Sequence, residues 1–319
     1  SSPLKNPVRD VFSPAGSSQS LTAQVQALFA GGKVGGMWDM GDTSKLFQDS
    51  ATLTTPVTTA GQTIGLVLDS KSTTLDATVI TNGNFSVGTG WTMPAGVSIS
   101  SGALRCTAAS GYVYQNATSM TSGAVYKVTY TVSNYSGGSI KAYVNPSPVF
   151  GFTVSANGVS TGYIRAGSSS LEVGLHLIGF TGDIDDFSVC RVPGNHATQP
   201  TAGSRSLYQV VGGYGCAQFD GTDDALMFPA ITFGGAFNTF VAGKVTGGTN
   251  GIHLWRTVDS ANGYWAAYTS ASGSPPNQVT GVGSPSYAVN GVALSPVTRG
   301  QIYSQINGVD SITETTGIV

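Results

Sequence analysis

The alternation of side chains at residues 125–132 constrains the fold more than any other feature of the sequence. Every second residue here is large and apolar, namely Tyr126, Val128, Tyr130 and Val132, and the residues between them are Lys or Thr. Because successive side chains of a strand point to opposite faces of a sheet, this pattern is typical of an antiparallel strand with one buried face. The sequence therefore predicts β-sheet at this point.

Runs with strand-like alternation recur along residues 79–189, with Gly, Asn, Asp or Ser between them. The runs are 97–100, 104–107, 112–115, 126–133, 140–144, 152–156, 161–164, 171–178 and 183–189. These runs amount to about eight short strands. Short strands separated by turn residues about every 8–12 positions are typical of a β-sandwich. Shorter runs in 36–69 and after residue 191 predict a second sandwich.

Composition favours an all-β chain over a helical or a disordered one. Only 9% of the 319 residues are charged, against about 25% in an average soluble domain. Hydrophobic residues make up 40%, and 44 residues are Gly. Helices favour Ala, Leu, Glu, Lys and Arg, whereas this mixture of Thr, Val, Tyr and Gly suits short strands joined by tight turns.

One short helix is predicted near the start of the chain. Leu21, Val25 and Leu28 share a helical face, Ser20 can act as the N-cap, and Gly31-Gly32 ends the pattern. The residues before this helix are rich in Pro, Ser and Gly and predict an extended arm that becomes ordered against a partner. The helix either covers the sandwich locally or takes part in oligomerisation.

Charge and cysteine usage exclude several classes of partner. A net charge of −2 and a pI near 5.8 argue against nucleic acid, which would require a basic face. No apolar stretch reaches about 18 residues, so no membrane span is expected. Cys106, Cys190 and Cys216 are odd in number and far apart, which predicts buried thiols rather than a disulfide framework.

Residues that could support catalysis are sparse, and no enzyme activity or cofactor is expected. The three histidines show no metal-ligand spacing, and Glu occurs only at positions 172 and 314. A glycosidase would need two carboxylates about 5–10 Å apart across a cleft. The Asp clusters at 183–186 and 220–224 fall at predicted strand ends and turns, where Asp commonly bonds the local backbone. His196 is expected to form structural hydrogen bonds.

Four separate motifs resemble a known leader of virion proteins. The segments are MWDMGDTSKLFQDS at 37–50, TTPV through GLVLD at 54–69, GNHATQ at 194–199 and FDGTDD at 219–224. They resemble a leader common in tailed-phage and prophage virion proteins that carry a laminin-G or concanavalin-A-like sandwich. In those proteins the motifs are close together. The resemblance therefore implies that residues 73–191 are an insertion.

The insertion carries a second resemblance. The motifs NGNF at 82–85, GW at 90–91 and IDDFSV at 184–189, together with the strand 126–133, resemble a galactose-binding-like carbohydrate-binding module of the kind appended to xylanases and glucanases. Such modules often hold a structural calcium ion, and by position Asn84 and Asp186 are the side chains that would bind it. The alternative is that no cation binds here.

Sugar binding depends on exposed aromatic side chains that stack against pyranose rings. Because sequence does not separate exposed aromatics from core ones, each candidate has a core alternative. The candidates for glycan binding are Trp91, Tyr112, Tyr114, Tyr135, Trp255 and Trp265, with Tyr143, Tyr264 and Tyr268 as further aromatics of the same segments.

These patterns predict an all-β chain of two β-sandwiches behind a short arm and helix. The predicted parts are residues 1–35 (arm and helix), 36–72 plus 192–319 (a discontinuous, jelly-roll, concanavalin-A/laminin-G-like sandwich) and 73–191 (the inserted galactose-binding-like sandwich). The outer sandwich is short for its family, so either the leader supplies strands or the natural domain continues further.

The resemblances imply a structural component of a bacteriophage particle, assembled in the host cytoplasm and associated with the tail or a fibre. Expected partners are other virion subunits, further copies of the chain and host surface glycans. Two alternatives remain open. One is a capsid decoration, cement or head-fibre protein, and the other is a secreted bacterial carbohydrate-binding protein.

Overall fold

The computed structural model describes residues 21–117, 120–145, 149–167, 171–220, 222–229 and 231, together with the backbone of seven strands between 252 and 314. These residues fall into two compact units, one within 11–232 and the other within 233–319. Residues of the predicted arm and Ser20 lie outside the described part of the chain.

Strands dominate the structure, which confirms the all-β prediction. The helical segments are α1 (Leu21–Ala27) and three 3₁₀ turns at Ala30–Gly32, Thr43–Lys45 and Ala202–Ser204. The first eleven strands are β1 (Leu46–Phe47), β2 (Leu66–Val67), β3 (Val97–Ser100), β4 (Ala103–Ala117), β5 (Val125–Val144), β6 (Val149–Val154), β7 (Gly158–Arg165), β8 (Leu171–Arg191), β9 (Ala197–Thr198), β10 (Leu207–Val211) and β11 (Tyr214–Gln218).

The predicted helix is present but shorter than the sequence pattern indicated. The α-helix ends at Ala27, and a 3₁₀ turn follows at Ala30–Gly32, within which Gly31 has a left-handed φ of 69°. Leu28, predicted to share a helical face with Leu21 and Val25, lies beyond the end of the helix and is 49% exposed. Gln26 holds the helix to the rest of the chain, since its amide donates to the Ser70 carbonyl at 2.7 Å.

One six-stranded antiparallel sheet contains all strands between residues 97 and 191. Its order is β3-β4-β8-β5-β6, and β7 also pairs with β5. The longest strands, β5 and β8, pair over almost their whole length, from Tyr126 opposite Arg191 to Val144 opposite Val173. The sheet is therefore organised around a central pair of very long strands.

Three strands bend at the same level of this sheet, which differs from the separate short strands that the sequence predicted. Register shifts interrupt β4 near 106–111, β5 near 133–139 and β8 near 178–183. Positive φ angles occur at these places, for instance 119° at Gly111, 77° at Gly138 and 57° at Gly179. Such bulges let a strand turn a corner without ending. Glycines that looked like turns are therefore bends inside continuous strands.

The bent sheet encloses a single apolar core. Side chains from both halves of β5 contribute to it, for example Tyr130 from the first half and Ile140 from the second. Phe152 of β6 stacks near Tyr130 with ring centroids 5.8 Å apart. The two halves of the sheet therefore face each other, as in a sandwich. The period-two stripe of residues 125–132 is buried as predicted, since Tyr126, Val128, Tyr130 and Val132 are at most 2% exposed.

The backbone enters and leaves this region at neighbouring positions. The Asp76 N–H donates to the Arg191 carbonyl at 3.1 Å, and the Val79 N–H donates to the Val189 carbonyl at 2.8 Å. Thr78 forms an isolated bridge with Cys190. Residues 76–79 therefore run beside 189–191.

Short strands that precede and follow the long sheet along the chain pair with one another. β2 lies between β1 and β9, so that Leu66 and Val67 pair with Thr198 and Ala197. β10 and β11 form a separate hairpin. A second apolar cluster covers this part of the chain, with Leu46, Ile64 and Val67 fully buried. The segments before and after residues 73–191 thus meet in one sheet, while the predicted domain boundaries themselves stay a prediction.

The remaining strands pair within residues 252–314. They are β12 (Ile252–Arg256), β13 (Ala266–Thr269), β14 (Val279–Val282), β15 (Tyr287–Val289), β16 (Val292–Leu294), β17 (Gln301–Ile306) and β18 (Val309–Glu314). β12, β13 and β14 form one antiparallel sheet, and the other four form two hairpins. Among the described residues, no helix has the length and apolar character needed to cross a bilayer.

Candidate functional site

The outer surface of the second half of the long sheet gathers aromatic and polar side chains. Val113, Ala142 and Leu175 point into the core, and the residues alternating with them lie on the opposite side of the sheet, where Tyr143 is itself only 4% exposed. The outward residues form three rows across β4, β8 and β5, here named the aromatic face: Tyr112, His176 and Lys141; Tyr114, Gly174 and Tyr143; Asn116, Glu172 and Asn145.

Tyr112 is the exposed ring of this face, with 38% of its surface accessible. Its ring stacks on His176 with centroids 4.5 Å apart and an interplanar angle of 21°. It also lies 4.4 Å from the Tyr143 ring, tilted by 34°. These two contacts fix the orientation of the Tyr112 ring before any ligand arrives.

Hydrogen bonds anchor the polar edge of the face. The Tyr143 hydroxyl donates to Glu172 Oε2 at 3.0 Å, and the Asn145 amide donates to the same oxygen at 2.9 Å. Burial, and then the hydrogen bond to the Glu172 carboxylate, raises the pKa of Tyr143 far above its usual range. Tyr143 therefore stays protonated and keeps donating to Glu172.

His176 is held in its neutral form. Burial lowers the pKa of its imidazole, and the nearby positive charge of Lys141 lowers it further. A neutral imidazole behind Tyr112 stacks without adding a charge to the platform. Lys141 therefore acts on His176 as the basic neighbour in the first row.

Together these groups can bind a sugar ring without reacting with it. An exposed tyrosine ring offers an apolar surface for the C–H face of a pyranose, and the flanking carboxylate, amide and hydroxyl groups can read its hydroxyls. Gly174 stands between Tyr114 and Tyr143 in register and has no side chain of its own. The centre of the face is therefore lower than its rim.

Two of the predicted glycan-binding residues, Trp91 and Tyr135, lie outside the aromatic face. Trp91 is only 9% exposed, its ring packs between Phe85 and Phe187, and its indole N–H donates to the Asn82 carbonyl at 3.2 Å. This placement matches the core alternative that the sequence left open. Tyr135 sits at the bend of β5, where its hydroxyl donates to the Gly138 carbonyl at 2.9 Å.

The structure thus brings together Tyr112, Tyr114 and Tyr143 but not Trp91 or Tyr135. Trp255 lies in β12, of which only the backbone is described, and Trp265 lies outside the described residues. The role predicted for these two tryptophans stays a prediction.

Asn84 and Asp186, the predicted calcium ligands, flank one backbone hydrogen bond, from the Phe187 N–H to the Gly83 carbonyl at 2.8 Å. Both side chains are exposed, and Asn84 Oδ1 accepts from the Ser86 N–H at 3.3 Å. Calcium in proteins is coordinated by about six to eight oxygen ligands. These two side chains supply one carboxylate and one amide oxygen that already accepts a hydrogen bond, and calcium binding at Asn84 and Asp186 stays a prediction.

Asn82 organises the same loop through its own side chain. Its amide donates to the Val87 carbonyl at 2.6 Å and to the Thr89 carbonyl at 3.3 Å. Its Oδ1 accepts from the Val87 N–H and from the Ser86 hydroxyl, both at 3.2 Å. The loop is therefore closed by hydrogen bonds that need no cation.

Among the described residues, three carboxylates cluster in the turn at Asp220, Asp223 and Asp224, with oxygens within 4.8 Å of one another. Asp220 Oδ1 accepts from the Thr222 N–H at 2.8 Å, and Asp224 Oδ2 accepts from the Asp220 N–H at 2.9 Å. The Thr222 hydrogen bond is the main cause of the lowered pKa of Asp220. These bonds form a turn, as the sequence predicted for this Asp cluster.

His196 has the structural hydrogen bonds that the sequence led us to expect. The Asp69 N–H donates to His196 Nδ1 at 3.0 Å, and His196 Nε2 lies 3.1 Å from the Val192 carbonyl. The Asp69 carboxylate in turn accepts from the backbone N–H groups of Met37 and Asn195 at 2.9 and 2.8 Å. This network, here named the His196 junction, ties the segment before the long sheet to the segment after it.

A groove of about 410 Å³ next to the His196 junction is lined by Arg165, Arg191 and a mixture of polar and apolar residues. The Arg165 guanidinium donates to the carbonyls of Gly123 and Ser50. Arg191 lies 3.7 Å from the Asp76 carboxylate. These groups hold chain segments together, so the groove is a structural seam.

Sequence reasoning missed Lys141, Glu172 and Asn145 as site residues. Each lies two positions from a residue of the middle row, in the patterns Lys141-x-Tyr143-x-Asn145 and Glu172-x-Gly174. This spacing shows that they share a face within their own strand. The register that joins β4, β8 and β5 depends on pairing between distant segments, and spacing within one strand does not predict it.

No protein-family model matches the chain, and no curated protein is similar to it at a significant level. Function is therefore inferred from the fold, from the aromatic face and from the sequence resemblances.

Proposed function

We propose that the chain is a non-catalytic structural subunit of a bacteriophage particle that contacts host surface glycans through the aromatic face. The observation that carries the glycan part is the Tyr112 ring, which is exposed and held in place by His176 and Tyr143. The leader resemblance of residues 37–69, 194–199 and 219–224 supports the assignment to a virion. The tail or a fibre is the favoured location, with a capsid decoration as the alternative.

Glycan binding is tested by removing the exposed ring. Covering about 60 Å² of apolar ring surface at about 25 cal/mol per Å² is equivalent to about 1.5 kcal/mol, or about tenfold in affinity. Tyr112→Ala should therefore weaken binding of a host polysaccharide by about tenfold in calorimetry. The matched control is Tyr214→Ala, because Tyr214 is 78% exposed and lies on β11, outside the aromatic face.

Two results would argue against this role. One is equal loss of affinity in both tyrosine variants, and the other is the absence of binding to any glycan of an array. Hydrolysis of the polysaccharide that disappears in Asp220→Asn would indicate an enzyme instead.

The virion assignment has its own test. Antibodies raised against the chain should label purified particles in electron micrographs, at the tail for the favoured location and at the head for a decoration protein. A secreted binding protein would be found in the culture medium and would be missing from purified particles.

A further inference from the structure

Asn-Gly pairs are positions at which a protein chain can react with itself. The backbone nitrogen of the glycine can attack the side-chain amide of the asparagine, because glycine has no Cβ to shield that nitrogen. The sequence contains six such pairs, which begin at residues 82, 157, 250, 262, 290 and 307. The described residues include two of them, Asn82-Gly83 and Asn157-Gly158. The surroundings of these two pairs differ.

Asn157-Gly158 lies at the turn between β6 and β7. Both residues are exposed, and a Cβ added at Gly158 would meet no atom within 4 Å. The Tyr135 N–H donates to Asn157 Oδ1 at 2.9 Å, and Asn157 Nδ2 has no hydrogen-bond partner among the described residues. The side-chain amide is therefore held at one atom and can pivot about it.

The hydrogen bond from Tyr135 favours attack on this amide. When a nucleophile adds to an amide carbon, negative charge develops on the carbonyl oxygen, and a donor already directed at that oxygen stabilises the charge. Tyr135 lies where the pairing of β5 with β8 is interrupted, so its N–H is available to the Asn157 side chain. The turn therefore provides both access and activation.

Asn82-Gly83 is held much more tightly. Both Nδ2 and Oδ1 of Asn82 carry two hydrogen bonds each. The Gly83 carbonyl accepts from the Phe187 N–H, and a Cβ added at Gly83 would overlap the Phe187 carbonyl. Attack by the Gly83 nitrogen would require the amide to rotate away from the partners of Nδ2. This pair is therefore protected although it has the same two residues.

We propose that Asn157-Gly158 is a site of spontaneous deamidation and that the fold protects Asn82-Gly83 from the same reaction. The Gly158 nitrogen loses its proton to hydroxide and bonds to Asn157 Cγ, and the Cγ–Nδ2 bond breaks to release ammonia. Water then opens the resulting succinimide at either carbonyl, which gives aspartate or isoaspartate. The inference is independent of the proposed function.

The two products differ in their effect on the turn. Aspartate keeps an oxygen on the side chain, and a carboxylate is a stronger acceptor for the Tyr135 N–H than an amide. Isoaspartate routes the backbone through the former side chain and lengthens the main chain by one methylene. This extra length lies at the end of the pairing of β7 with β5, where Gly158 is opposite Val132.

The test follows both sites in the same molecule. The full chain is incubated at pH 8 in water enriched in ¹⁸O, then digested and mapped by mass spectrometry with fragmentation that separates aspartate from isoaspartate. The need to break the two Nδ2 hydrogen bonds of Asn82 should make its deamidation about 30-fold slower than that of Asn157. In Asn157→Gln the amide is one bond further from the backbone, so the product at this turn should disappear.

The chain denatured in guanidinium chloride is the control, and there the two sites should react at similar rates. Equal rates in the folded chain, or a faster reaction at Asn82, would overturn the proposal. A preference for Asn157 that persists in guanidinium chloride would overturn it too, because the difference would then come from the local sequence and not from the hydrogen bonds of the fold.

Discussion

Mild acid should loosen the His196 junction, because its geometry requires a neutral imidazole. His196 Nδ1 accepts a hydrogen bond from the Asp69 N–H, so the ring proton is on Nε2, which donates to the Val192 carbonyl. Protonation of Nδ1 would place its N–H against the Asp69 N–H, so that two donors would face each other without an acceptor. Burial lowers the pKa of His196, and the charges of Arg165 and Arg191 act in the same direction. The Val192 carbonyl and the Asp69 carboxylate oppose this effect.

The sign of the effect follows from the two pKa values. An unfolded histidine has a pKa of about 6.5, and in the folded chain the pKa of His196 is lower. Above about pH 6.5 both states are neutral, and the contribution of His196 to stability is complete. As the pH falls from there towards the folded pKa, the unfolded state takes up the proton first. The free energy of unfolding then decreases by up to about 1.4 kcal/mol per pH unit.

Urea unfolding between pH 8 and pH 5 measures this decrease. In His196→Asn, Oδ1 can replace Nδ1 as the acceptor for the Asp69 N–H, while the donor to Val192 is lost. This variant should be about 1 kcal/mol less stable at pH 8 and should depend less on pH. His196→Ala removes both bonds and leaves the Asp69 N–H without its acceptor, so a loss of about 2–4 kcal/mol is expected.

His176→Asn is the comparison variant, since His176 lies on the aromatic face and not in the junction. It should retain the part of the pH dependence that His196 causes. Long-range ¹H–¹⁵N spectra should show the Nε2–H tautomer of His196 at pH 7. The reasoning would be refuted by a His196→Asn variant with the same pH dependence as the natural chain, or by a proton on Nδ1.

Three further predictions concern the core of the long sheet. An alanine Cβ at Gly174 would overlap a backbone carbonyl of β4, whereas Gly137 has open space around it. Gly174→Ala should therefore cost about 3 kcal/mol or more in urea unfolding, and Gly137→Ala less than about 0.5 kcal/mol. The Tyr130 hydroxyl is buried without a hydrogen-bond partner among the described residues. Tyr130→Phe should leave stability unchanged or raise it by about 1 kcal/mol, and a loss above that size would reveal a partner. Burial raises the pKa of the Cys106 thiol to about 12, so at pH 8 iodoacetamide should label half-buried Cys190 at least about 100-fold faster. Equal labelling of the native chain would contradict the burial of Cys106.

Much of the strand content could be predicted from the sequence, because it depends on local alternation. The stripe from Tyr126 to Val132 defined both the strand and its buried face. What alternation does not reveal is whether a strand ends at a glycine or bends there. The runs 126–133 and 140–144 are one strand, since the residues around Gly138 form a bulge paired with β8. That outcome depends on a partner strand more than thirty residues away.

The candidate site was predictable only in part, for the same reason. Tyr112 and Tyr114 share a face by spacing alone. Their contact with His176 and Tyr143 depends on the pairing of β4 with β8 and of β8 with β5. Trp91 was a candidate because it is aromatic, but its neighbours Phe85 and Phe187 enclose it. Exposure of an aromatic ring is decided by tertiary packing, which one sequence does not state.

The pairing of residues 76–79 with 189–191 brings the two ends of the intervening chain close together. Backbone positions joined by antiparallel hydrogen bonds are about 5 Å apart, so a short turn is enough to close the gap if the intervening residues are removed. A different module with equally close ends could be grafted at the same point without stretching the flanks. In the proposed role, recombination at this point would exchange the receptor specificity of a particle and leave the pairing of β2 with β9 intact.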